Sequence, residues 1–123
     1  MYTPTILVIT LTSMLAAAFP TSESAPSYNP ATILFTLREL HGLSITLPAN
    51  NTCIDLSSIL GDYDRKIRSL MVVKGTKCAF YTELSCASIG DKLELGSEVG
   101  DVIRESLEPS WDLKIRSVYC ADL

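Results

Sequence analysis

The sequence predicts an all-β fold in which two Greek-key motifs pack together as a disulfide-stabilised sandwich. Three observations carry this expectation. The stretch YDRKIRSLMV from Tyr63 returns as WDLKIRSVYC from Trp111, so that Asp64, Lys66, Ile67, Arg68 and Ser69 align with Asp112, Lys114, Ile115, Arg116 and Ser117. Short runs rich in β-branched and aromatic residues recur at even spacing between Gly, Ser, Asp and Pro. Four cysteines, an even number, all lie downstream of an apolar start.

Read in order, ILVITLTSMLAAAF is too short to span a bilayer comfortably and ends in small residues, of which Ala16 and Ala18 suit signal peptidase. Residues 1–18 are therefore expected to be a secretory signal peptide, with the secreted form beginning near Phe19. A membrane anchor or a core helix is the competing reading, and the n-region MYTPT brings only its α-amino charge. Residues 19–30, FPTSESAPSYNP, read as a flexible leader. The folded domain is expected over residues 31–123, its first motif over about 31–74 and its second over about 75–123.

TILFTL and LSITL read as strands, joined by the hairpin loop RELHG. KIRSLMVVKG alternates in part, with Ile67, Ser69 and Met71 on one face and Arg68, Leu70 and Val72 on the other. CAFYTEL, DKLEL and KIRSVYC supply further strands. Only GSEVGDVIRESLEPS has room for a turn or two of helix, with Ser97 or Asp101 as cap and Pro109 as stop. A unit of one hairpin, a third extended piece and a KIRS strand is a Greek key, and it cannot bury its sheet face alone.

A domain this small buries a modest core, and secreted domains of its size commonly add disulfides. Cys53, Cys78, Cys86 and Cys120 are accordingly expected to form two bridges, for which the count allows three connectivities. Zinc is the rival reading, but no pair has C-x-x-C spacing and the single histidine, His41, is remote from each cysteine. No metal and no cofactor are expected. The net charge of −4 lies entirely beyond residue 22, because no Asp, Glu, Lys or Arg precedes Glu23. That balance gives no bulk attraction to nucleic acid or anionic lipid.

Catalytic constellations are not legible. His41 sits in a hairpin loop with no G-x-S-x-G elbow elsewhere, and reads as a solvent-facing turn residue. The carboxylates of GDYD and DKLELGSE read as surface charge. Tyr63 and Trp111 precede the repeated strands. They are either core or exposed aromatics able to stack on sugar or enter a partner's pocket. Asn50 heads the sequon NNT, a candidate glycosylation site.

These residues resemble the βγ-crystallin family. Its Greek key has an aromatic at the end of the first strand, a large residue five positions on and Gly seven positions on. Phe35, Leu40 and Gly42 meet that spacing, and Tyr81, Cys86 and Ser88 meet it with Ser in place of Gly. Ser69 and Ser117 fall on the family's serine late in the motif. The resemblance implies that the third strand of each motif crosses to the partner's sheet. This would bring Cys53 near Cys120 and implies the pairing Cys53 with Cys120 and Cys78 with Cys86. Calcium-binding members place two acids or Asn residues, two spacers, then Ser or Thr followed by Ser. DRKIRS and DLKIRS keep Asp64 or Asp112 and the last serine, but put Arg65 or Leu113 at the second acid and Arg68 or Arg116 at the hydroxyl. An arginine there repels the ion and can pair with the remaining carboxylate, so indifference to calcium is expected.

The cysteine placement and leader also look like small secreted proteins of filamentous fungi and like crystallin-like killer toxins. This likeness implies a non-enzymatic, effector-like or antimicrobial binder, monomeric and secreted, whose partner is an extracellular protein or a cell-wall or surface component. A secreted protease inhibitor and a structural or calcium-binding crystallin-like protein are the alternatives. An inhibitor would need an exposed, rigid loop, for which LPANNT and GSEVGDVIRESLEPS are the candidates.

Overall fold

The computed structural model describes residues 29–123. The expected signal peptide and nearly all of the leader lie outside the described residues. Eight strands form two four-stranded antiparallel sheets: β1 Pro30–Leu37, β2 His41–Pro48, β3 Cys53–Asp55, β4 Ser69–Val72, β5 Thr76–Tyr81, β6 Lys92–Gly96, β7 Val102–Arg104 and β8 Ser117–Asp122. The first sheet has the order β2-β1-β4-β7 and the second β3-β8-β5-β6. Each motif therefore contributes three strands to its own sheet and its third strand to the other, the exchange implied by the resemblance. Neither half can complete its sheet without its partner.

Alternation places the core. Thr32 and Leu34 of β1 lie opposite Val72 and Leu70 of β4. In the second sheet Cys78 and Phe80 lie opposite Cys120 and Val118. All eight are buried, and the inner faces meet with Leu56, Ile67, Leu107, Trp111 and Ile115 closing the gap.

Four expectations need correction. The segment Gly96–Ser110 contains no helix: Val102 and Ile103 pair with Val72 and Met71 as β7. Two β-branched residues completing a sheet outweigh a weak helical pattern interrupted by Gly100. The repeated KIRS segments are strand only from Ser69 and Ser117 onward. Before them the chain turns through Arg65 (φ 56°) and Leu113 (φ 61°), a left-handed conformation held by Arg65 N–H to Ile115 O and Leu113 N–H to Ile67 O, both 3.0 Å.

The third correction concerns the second hairpin, whose glycine is Gly90 and not the position of Ser88. Thr36 Oγ1 accepts the N–H of Leu43 just after Gly42, and Thr82 Oγ1 accepts the N–H of Asp91 just after Gly90. A Cβ on Gly42 would come 2.6 Å from Thr36 Oγ1, and one on Gly90 2.5 Å from Thr82 Oγ1. Both glycines are therefore required by the same close approach. The second hairpin is two residues longer, which hid the match from a fixed spacing.

The fourth concerns the bridges. All four cysteines are paired, but as Cys53–Cys86 and Cys78–Cys120. Strand exchange does place β3 beside β8, yet Cys53 lies opposite Tyr119 and not Cys120. Neighbouring residues of a strand face opposite sides, so Cys120 points into the core and lies directly across from Cys78. Their Cα atoms are 4.1 Å apart. Cys53 is left on the other face, where Cys86 reaches it from the folded second hairpin.

Candidate functional site

The repeated segments build two crossed, bidentate aspartate–arginine pairs. Each turn places its Asp at the entrance and its Arg just before the strand. The two turns lie across the pseudo-two-fold, so the acid of one meets the arginine of the other. Arg68 donates from Nε to Asp112 Oδ1 at 3.0 Å and from Nη2 to Asp112 Oδ2 at 2.9 Å. Arg116 does the same to Asp64, at 3.0 and 3.3 Å. A second guanidinium stands beside each acid: Arg38 at 3.2 Å from Asp112 and Arg65 at 3.7 Å from Asp64.

Both aspartate side chains are only 15% exposed. The hydrogen bond from Arg68 holds the Asp112 carboxyl below its usual range against the opposing effect of burial, with Arg38 and Lys114 adding to the lowering. Arg68 and Arg116 are raised in turn by their hydrogen bonds to Asp112 and Asp64. Every carboxylate oxygen of the pair accepts an N–H. A cation could take these ligands only by displacing a bidentate guanidinium. The arginine expected to meet the remaining acid does so, and it comes from the opposite copy.

The two serines latch the hairpins. Ser69 Oγ donates to Leu37 O at 2.6 Å and accepts the Leu40 N–H at 3.0 Å. Ser117 Oγ donates to Glu83 O at 2.6 Å and accepts the Cys86 N–H at 2.9 Å. Each hairpin crosses its latch through two successive left-handed residues, Glu39 and Leu40 in one and Ser85 and Cys86 in the other. That conformation costs L-residues energy, which the doubly bonded hydroxyl offsets.

The aromatics take the core alternative. Trp111 is 9% exposed, and Tyr63 packs partly buried against the core with its hydroxyl donating to Ser44 O at 3.3 Å. A cleft of roughly 230 Å³ opens beside Trp111, between Leu93 of β6 and the segment Arg104–Glu108. The chain runs from Leu107 to Trp111 in four steps but from Leu56 to Tyr63 in seven. The shorter connection leaves that sandwich edge open.

His41 is exposed at the start of β2, and Asn50 is exposed on a bend. Among the described residues no group of three or more His, Cys, Asp or Glu could hold a metal ion, and no helix is long and apolar enough to cross a membrane.

No protein-family model matches the sequence, and no curated protein does. Solved structures do. A structure bearing on the evolution of the eye-lens βγ-crystallin domain fold superposes with a TM-score of 0.65 at 16% identity, covering 84% of this chain and 95% of that one. A βγ-crystallin domain from Flavobacterium johnsoniae gives 0.62 at 16% identity, covering 75% and 94%. The βγ-crystallin from Ciona intestinalis gives 0.54 at 23% identity, covering 72% and 95%. The chain has the βγ-crystallin fold, with two disulfides.

Proposed function

We propose that this chain is a small, secreted, non-enzymatic binding protein, effector-like or antimicrobial in the manner of killer toxins, acting on an extracellular protein or a cell-wall or surface component. The observation that supports it most is the way the fold is held. The Cys53–Cys86 disulfide and two bidentate aspartate–arginine pairs tie the motifs together, the ion pairs at positions where a metal-dependent relative would place calcium ligands, and Cys78–Cys120 braces the second motif internally. Such a domain keeps its shape in calcium-poor, oxidising surroundings. Pull-down from extracellular and cell-wall extracts with the purified chain, alongside growth assays on competing microbes, tests this reading. Specific capture or growth inhibition supports it, and inertness in both overturns it.

A protease inhibitor is the second reading, favoured by the loop between β6 and β7. Its ends are pinned by the N–H of Gly75 on Ser97 O and the N–H of Lys74 on Asp101 Oδ1. Val99, at its tip, is 90% exposed. A rigid loop with one apolar side chain at its apex is what a protease cleft accepts. Inhibition of a protease panel that disappears with Val99→Asp would establish this reading over the first.

A further inference from the structure

The cleft beside Trp111 lies where both sheets end, between the edge strands β6 and β7. Its apolar wall is Leu93, Leu107 and Trp111, the first half-buried and the other two in the core. Its polar side is Arg104, Ser106 and Glu108, all exposed. Arg104 lies opposite Leu70, whose side chain is buried, so the register puts a guanidinium on the inward face of β7, where alternation calls for an apolar residue. Its hydrogen bond is a 3.4 Å contact with the carbonyl of its own neighbour, Ile103. Arg38, Arg65, Arg68 and Arg116 each meet an aspartate, which leaves Arg104 as the one arginine among the described residues without an acid partner. Glu108 uses only its backbone oxygen, which accepts the N–H groups of Trp111 and Asp112, and its carboxylate has no cation beside it among the described residues.

We propose that this cleft binds one residue of a neutral glycan. The proposal rests on the reading of the chain as a binder of a cell-wall or surface component, and it names the site and the chemistry recognised there. A guanidinium only donates hydrogen bonds, a carboxylate only accepts them, and a serine hydroxyl does both. A ligand that satisfies all three needs groups that donate and accept, together with an apolar face for Leu93, Leu107 and Trp111. A sugar ring has both, with hydroxyls around its edge and C–H groups on its faces. A charged ligand would set a like charge against either Arg104 or Glu108, whereas neutral hydroxyls meet both without repulsion.

Size and rigidity agree with that ligand. At roughly 230 Å³ the cleft is smaller than the about 300–1,000 Å³ of sites for drug-sized molecules, so it admits a single ring and leaves the rest of a glycan chain in solvent. Its wall is fixed before any ligand arrives. The Leu107 N–H donates to Arg68 O at 3.1 Å, and Glu105 O accepts the Glu39 N–H at 2.6 Å. A preformed site of this size holds one sugar residue with a Kd of about 1 mM.

Titration of the purified chain with soluble neutral oligosaccharides, one series built of hexoses and one of N-acetylhexosamines, tests the proposal. Trp111 is the only tryptophan in the chain, so its fluorescence reports on the cleft without a label. The expected result is a saturable change in emission, in the millimolar range, with at least one series. Arg104→Ala and Glu108→Ala should each weaken binding about tenfold, through loss of a charged hydrogen-bonding partner, and should leave the Tm unchanged because neither side chain braces the fold. Ile89→Ala, on the exposed second hairpin, should leave the affinity as it was. The absence of a saturable change with both series overturns the proposal, as does binding indifferent to both cleft variants, or cyclohexanol binding as tightly as the sugars. If the pull-down captures a surface protein while Trp111 ignores both series, this site falls and the binding reading stands. A chain that binds sugars through Arg104 and Glu108 yet is inert in pull-down and growth assays keeps the site and sinks the role proposed for it.

Discussion

The two sheets share one plan and are stabilised by different means. Every cysteine belongs to the second sheet or to the hairpin folded over it: Cys53 in β3, Cys78 in β5, Cys120 in β8 and Cys86 in the turn after β5. The first sheet has no covalent link. Where the second sheet places Cys78 opposite Cys120, the first places Thr32 opposite Val72, and the Thr32 hydroxyl donates to Met71 O at 2.7 Å. Where the second hairpin has Cys86 on its serine latch, the first has Leu40. A duplicated motif thus tolerates a bridge or a packed side chain at the same position, because the pairing geometry and the latch fix the backbone either way.

The largest expected effect comes from removing the buried bridge. Cys78→Ala with Cys120→Ala opens a 42-residue loop and should lose roughly 4 kcal/mol in urea unfolding. Cys53→Ala with Cys86→Ala should lose somewhat less, because that bridge is only half-buried and its removal leaves less of a core cavity. Nearly equal losses would show that loop entropy alone governs both, and a reversed order would show that neither loop length nor burial does.

Grafting the bridge onto the first sheet tests the equivalence of the positions directly. Thr32→Cys with Val72→Cys should oxidise spontaneously and add about 2 kcal/mol, less than the loop-entropy value because the Thr32 hydrogen bond is lost. A peptide map showing free thiols at both positions would break the correspondence between the sheets.

The latches should also differ. Ser69→Ala leaves a carbonyl and an amide without their hydroxyl and should lose about 2 kcal/mol. Ser117→Ala should lose about half as much, since the Cys53–Cys86 bridge still holds the second hairpin. Paired denaturation curves decide the ratio.

Acid probes the crossed loops. Asp112 has a depressed folded pKa, so its stabilising contribution is fully present above the unfolded carboxylate value, about 3.9. It is lost as pH falls through the lower folded value. Asp112→Asn should therefore flatten the stability profile on the acid side while changing little of its shape above pH 5. An unchanged acid limb would show that Asp112 does not carry it.

Calcium should have the smallest effect of all. Melting in millimolar calcium and in chelator should give the same Tm, because a ligand binding only the native state would raise it. A rise that vanishes with Asp64→Ala or Asp112→Ala would mean that the guanidinium yields to the ion.

The sequence by itself determined the architecture, since duplication and strand periodicity are local records of it. Two copies of DxKIRS announced two motifs, short β-branched runs announced strands, and an even cysteine count announced two bridges. The arginine at a would-be ligand position also pointed to an ion pair with the remaining acid. Only the tertiary structure decided which groups meet. Pairing partners depend on register across strands, and register is invisible along the chain: one residue separates Cys120 from Tyr119, yet it moves the side chain from core to surface and changes the disulfide map. The same holds for Arg68 and Asp112, 44 residues apart, which meet through the pseudo-two-fold and not through any spacing. Gly90 escaped a fixed spacing because two extra residues in an exposed turn cost little to the fold while shifting every position counted through them.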